Sequence, residues 1–267
     1  MIDRFQKFAR ERPGWFSLLI TVMVLMVYFV AAIVAALSST NATEDNLIQA
    51  FGRGFGAIAF AIIIFQFGWQ RACGLNHPGS LLPWLGGLGL LGYEIVTHVL
   101  PLAGDVNFGN GISAEAVAVA LNALATGPLE EISFRGLVLI AFVQHWAFAK
   151  RGIAKGVIAG SFFFGASHLI HLLLGRPFPQ AITIALNASL AGIYYAAIVL
   201  RWKTIWPAVA LHGLLNALVA IVAFYTPGFQ EPANELFLGT LLQIPVVILA
   251  FFVIREIRPE EIVPNQE

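Results

Sequence analysis

Charge is scarce in this chain. Of 267 residues, 11% are Asp, Glu, Lys or Arg, and 15 acidic residues balance 15 basic ones to a formal net charge of zero. No global electrostatic bias favours nucleic acid or a strongly acidic partner. Cysteine is scarcer still: Cys73 stands alone, which excludes an intramolecular disulfide framework. No HExxH motif, internal repeat or low-complexity tract occurs. What fills the sequence is apolar, 58% of the residues, with a mean hydropathy of +0.81. Such values lie outside the soluble range and predict one all-α, polytopic membrane helix bundle.

The first apolar run, Trp15 to Leu37, follows the basic stretch RFQKFARER and outlasts the apolar core of a signal peptide. About 20 apolar residues cross the hydrocarbon core, so this run is expected to stay as a spanning helix. Further runs lie at roughly 51–69, 80–102, 113–148, 153–174, 181–200, 205–226 and 235–254, divided by Gly, Pro and polar clusters. They make about eight transmembrane helices. On this division 1–14 is a cytoplasmic N-terminal segment and 15–255 the transmembrane domain. Residues 256–267 form a solvated, partly disordered cytoplasmic tail, and SSTNATEDN after the first run is a loop. With the N-terminus inside, 12 of the 15 Lys and Arg residues face the cytoplasm, Arg53 and Arg176 fall outside, and Arg135 lies within a span. That asymmetry fits the positive-inside rule and a bacterial plasma (inner) membrane with both termini cytoplasmic. The run 113–148 is too long for one crossing, roughly 54 Å if wholly helical. Pro128 within it predicts either a long bent helix or two separate pieces.

Just past that proline lie charges an apolar span ordinarily excludes. Acidic or basic residues at a helix centre cost about 2.5–3.5 kcal/mol each to insert, and here Glu130, Glu131 and Arg135 come together. Glu131 and Arg135 are four apart, on one helix face, with the acid on the N-terminal side, so they can pair. Glu130 sits about 100° round the helix and has no local partner. An unpaired intramembrane carboxylate is either a hydrogen-bonded acid joining helices or an ionisable group in a wet cavity. Other spans carry matching chemistry. His168 follows Phe164 by four residues, and Asn216 follows His212 by four, so each pair shares a helix face. Glu94 and His98, four apart on the third run, are expected to bond to each other or to a neighbouring helix, His171 one turn beyond His168 reads as structural, and Gln66, Asn122 and Asn187 read as interhelical hydrogen-bonders.

Glu130-Glu131-x-x-x-Arg135, Phe164-x-x-x-His168 and His212-x-x-x-Asn216, in that order and each within an apolar span, resemble the three motifs of the CAAX prenyl protease and bacteriocin-processing (Abi) family of intramembrane proteases. EEISFRG is similar to the family's EExxFRG core, and the motif core covers about residues 113–225. The resemblance implies an eight-helix bundle that hydrolyses a peptide bond of a membrane-associated polypeptide, in some members a prenylated one. It implies Glu130 and His168 as the water-activating residues, His212 and Asn216 as the oxyanion donors, and Glu131, Arg135 and Phe164 in support. No cofactor is favoured. The competing account is a zinc ion held by Glu130, His168 and His212 with water in the fourth position. Rival classes are a non-catalytic immunity or scaffold protein of the same fold and a proton-coupled transporter. The paired broken helices and repeated halves typical of a carrier are not evident.

Overall fold

The computed structural model describes residues 2–107, 109, 111–226 and 233–262. The chain is an all-α membrane bundle. Its helices are α1 (Ile2–Glu11), α2 (Pro13–Ser38), α3 (Ala42–Gln66), α4 (Leu81–Glu94), α5 (Ala114–Leu124), α6 (Thr126–Ser133), α7 (Ile140–Trp146), α8 (Gly152–Ser167), α9 (Ile170–Leu173), α10 (Phe178–Trp202), α11 (Trp206–Tyr225), α12 (Ala233–Leu242) and α13 (Ile244–Ile254). Seven stretches among the described residues are long and apolar enough to cross a membrane: 13–38, 42–66, 81–104, 152–173, 178–202, 206–225 and 236–254. Their outward faces are apolar, as in the exposed Leu18, Met26, Ile33 and Leu37 of α2, the arrangement that lipid contact requires.

The expected eighth crossing, 113–148, is interrupted. It comprises α5, α6, a π-helical stretch Phe134–Leu139 and α7. The break between α5 and α6 falls where Pro128, lacking an N–H, leaves the Leu124 carbonyl without its helical donor. The π stretch follows directly on the paired glutamates, and such widened turns gather at functional sites. Every residue from 129 to 143 is buried, so this piece is the axis of the bundle, with α2, α3, α8 and α11 around it.

Close helix approach fixes that axis. A Cβ on Gly127 would lie 2.6 Å from both the Gly213 nitrogen and the Val209 oxygen, and one on Gly213 would lie 2.8 Å from the Leu124 oxygen. Backbone therefore meets backbone where α6 crosses α11, the small-residue packing expected without a hydrophobic drive between helices. This crossing brings the glutamates of α6 beside the histidine of α11.

Two sequence expectations need correction. SSTNATEDN is a loop only over residues 39–41: Asn41 caps α3 by accepting from the Glu44 amide (3.0 Å), while Glu44 accepts from the Thr40 amide (2.8 Å). This reciprocal pattern belongs to a helix start. The third helix thus begins nine residues before the apolar run at 51, and Arg53 lies inside a span rather than outside the membrane. The tail is also less solvated than expected, because Ile257 and Ile262 are buried; residues 263–267 lie outside the described residues.

Candidate active site

One cavity of about 850 Å³ is lined by Glu130, His168, His212 and Asn216 together. α6 presents Glu130, the C-terminal end of α8 presents His168, and α11 presents His212 and Asn216. α11 starts inside the protein. Thr204, Ile205 and Ala208 are buried, and Trp206 Nε1 donates to the Leu75 carbonyl (3.1 Å) of the 67–80 connection.

Glu130 is largely buried, and Tyr28 of α2 donates to its Oε1 (2.7 Å). Its Oε2 has no hydrogen-bond partner among the described residues and lies 3.7 Å from His212 Nε2. A buried polar atom without a partner needs an explanation, and here it is a carboxylate oxygen on a cavity wall. His168 is held by its other face: Nδ1 donates to the Phe164 carbonyl (2.9 Å). A carbonyl only accepts, so the proton resides on Nδ1 and the lone pair of a neutral ring on Nε2. The four-residue spacing of Phe164 and His168 produces that bond.

Glu131 is fully buried and shared. Its Oε1 lies 3.0 Å from an Arg135 guanidinium nitrogen, an ion-pair contact without hydrogen-bond alignment, and accepts from His212 Nδ1 at 2.8 Å. The Glu131–Arg135 pair expected on one helix face is present, and it also fixes a catalytic candidate on another helix. With Nδ1 protonated toward Glu131, His212 Nε2 donates only in the imidazolium form. Tyr195 stacks on the His212 ring, with centroids 5.7 Å apart. The Phe164 ring lies under the Arg135 guanidinium at 4.0 Å and meets His168 and His212 edge-on at 5.0 and 5.9 Å. Phe164 is thus the apolar wedge holding both imidazoles and the arginine in register. Asn216, one turn beyond His212, is half-buried in the cavity wall.

Among the described residues, no three His, Cys, Asp or Glu side chains are arranged to hold a metal ion. His212 Nδ1 and His168 Nδ1 are both engaged, leaving only the Nε2 atoms for any ligand role.

Residues 112–218 match a family model described as Rce1-like, type II CAAX prenyl endopeptidase. This is the family its motifs resemble. The Rce1-like segment begins just before α5 and ends in α11, so it contains all three motifs and leaves out α1–α4, α12 and α13. No curated protein and no solved structure matches the chain. The match covers 107 of the 267 residues and is a likeness to that endopeptidase family over the motif core.

Two cavity residues were not singled out from sequence. Tyr28 is the lone tyrosine of α2, and Tyr195 is one of an adjacent tyrosine pair on α10. A polar-tipped aromatic in mid-span is the signal that identifies either, since its hydroxyl requires a partner away from water. Glu94 and His98 are bonded to each other as expected (2.8 Å). They also join α4 to α10, through Tyr194 Oη to Glu94 Oε1 (2.8 Å) and through Asn187 and His98 Nε2 at 3.2 Å.

Proposed function

We propose that the protein is a glutamate-dependent endopeptidase that cuts prenylated, CAAX-type polypeptides within the membrane. The carrying observation is the unpartnered Oε2 of buried Glu130 in a cavity shared with His168, His212 and Asn216. Water held between Glu130 Oε2 and His168 Nε2 gives its proton to the carboxylate as its oxygen attacks the scissile carbonyl carbon. The carbonyl oxygen becomes an oxyanion that accepts from His212 Nε2–H and the Asn216 amide. When the C–N bond breaks, the proton on Glu130 passes to the departing amine, and the carboxylate is restored. Tyr28 keeps Glu130 Oε1 occupied, so Oε2 does this work. Glu131 holds His212 as a donor, and Arg135 and Phe164 hold Glu131 and the rings. The zinc alternative would draw on Glu130, His168 and His212, where zinc would supply a lowered-pKa water.

The bacterial inner membrane with cytoplasmic termini is the location this reading favours. With Arg53 moved into a span, Arg176 is left as the one basic residue assigned to the far side, against 12 on the cytoplasmic side. The test is cleavage of a farnesylated reporter peptide by purified wild type, Glu130→Ala and His168→Ala in vesicles. Wild type cleaves and both variants fall by about 10²–10⁴-fold. A wild type without activity, or variants equal to it, would defeat the reading.

A further inference from the structure

Arg53 lies eleven residues into α3, roughly 16 Å from its start, well within a spanning helix. An intramembrane cation is costly unless it faces a cavity and finds an anion. Arg53 does line the cavity, yet its partners are neutral. Nη1 donates to the Asn122 carbonyl (2.7 Å) and to Thr126 Oγ1 (3.0 Å), the guanidinium carbon lies 4.8 Å from the centre of the Tyr28 ring, and Nε is buried without an acceptor. Neither acid of the cavity wall is in contact with Arg53: Glu94 is held by Tyr194 and His98, and Glu130 acts on Arg53 only at a distance, with Tyr28 between them. Among the described residues Arg53 therefore has no carboxylate in contact, and its bonds to α5 and α6 hold it rigidly at the cavity edge.

The missing anion is then one that the cavity receives. We propose that Arg53 binds the C-terminal carboxylate of the peptide and so sets how near to a free C-terminus the enzyme cuts. This rests on the peptidase reading above. The geometry supplies the length scale: Tyr28 touches the Glu130 carboxylate with its hydroxyl and the Arg53 guanidinium with its ring face, so one tyrosine side chain separates cation from base. At about 3.3–3.6 Å per extended residue, that separation admits about two residues between scissile bond and terminus. Guanidinium is the group suited to such a contact, because its planar fork matches a carboxylate. An anchored terminus also fixes the register of an otherwise featureless apolar peptide.

The test compares two farnesylated peptides ending Cys-Val-Leu-Ser, one with a free carboxylate and one with a C-terminal amide. Binding is read with the Glu130→Gln chain in micelles, and cleavage with wild type. The acid binds at least about tenfold more tightly than the amide. Adding Arg53→Gln makes the two equal, and Arg53→Lys restores part of the difference. In cleavage the same preference appears in KM rather than kcat. A purely structural arginine would weaken both peptides alike and leave the preference in place, which overturns the proposal, as does equal binding of acid and amide by the Glu130→Gln chain. Preferential binding of the acid without cleavage by wild type upholds the role of Arg53 and sinks the peptidase reading instead.

Discussion

Removing the Glu131 carboxylate tests the electrostatic arrangement beneath the site. Glu131 is the anion in contact with Arg135 (3.0 Å), both are buried, and neither Nη1 nor Nη2 has a hydrogen-bond acceptor among the described residues. Glu131→Ala therefore strands a cation in the bundle axis and should cost about 3–5 kcal/mol, the range for breaking a buried pair from one side. Most of that loss is the uncompensated charge rather than the lost bond. The double variant Glu131→Ala/Arg135→Met should thus be more stable than Glu131→Ala alone, by about 1 kcal/mol or more. Denaturation in detergent micelles, followed by tryptophan fluorescence, measures all four corners of the cycle. Additive losses, with the double variant the least stable, would refute the reasoning. The isosteric Glu131→Gln separates stability from chemistry. An amide oxygen is a weaker acceptor than a carboxylate for His212 Nδ1, so the ring is held less firmly and kcat should fall by about 10²-fold or more while folding is largely retained.

Other expectations follow from single contacts. His212→Ala and Asn216→Ala should each lower kcat by about 10²–10³-fold, the usual effect of losing one oxyanion donor, with smaller changes in KM. Gly127→Leu and Gly213→Leu should each destabilise the chain by at least about 1–3 kcal/mol, because backbone rather than flexible side chain occupies the space; thermal unfolding in nanodiscs reads this. Burial pushes the Cys73 thiol, in the 67–80 connection, up to about 12, against about 8.5 for a free thiol. The native chain should then resist maleimide at pH 8 and label only on unfolding. Because the unfolded thiol ionises first, the contribution of the neutral thiol to stability is complete below about pH 8.5 and is lost as pH rises toward 12. Chelation followed by metal analysis should leave activity intact without stoichiometric zinc, and activity that tracks zinc content would favour the metal account.

Much of the bundle was legible because lipid imposes a simple rule: apolar runs of about 20 residues, parted by Gly, Pro and polar breaks, become helices. The motif residues were legible for the complementary reason, since charge in such a run stands out. The start of α3 was not, because its first two turns are polar and its signal is a local cap, Asn41 with Glu44, rather than hydropathy. That one misreading placed Arg53 outside the membrane. The shared role of Glu131 was hidden as well. Spacing of four shows its bond to Arg135, but its bond to His212 spans 81 positions and depends on the Gly127–Gly213 crossing. Hydropathy also counts 113–148 as one more run, whereas its breaks and its complete burial over 129–143 follow from Pro128 and from the helices packed around it.

The most direct test of the account is a single turnover in ¹⁸O-labelled water, with wild type and Glu130→Gln side by side on the farnesylated reporter. Direct attack by a Glu130-activated water places the label in the new C-terminal carboxyl of the product and none in the enzyme, while Glu130→Gln binds the peptide and leaves it whole. Label recovered in the Glu130 side chain, or a Glu130→Gln chain that cuts as fast as wild type, would contradict it.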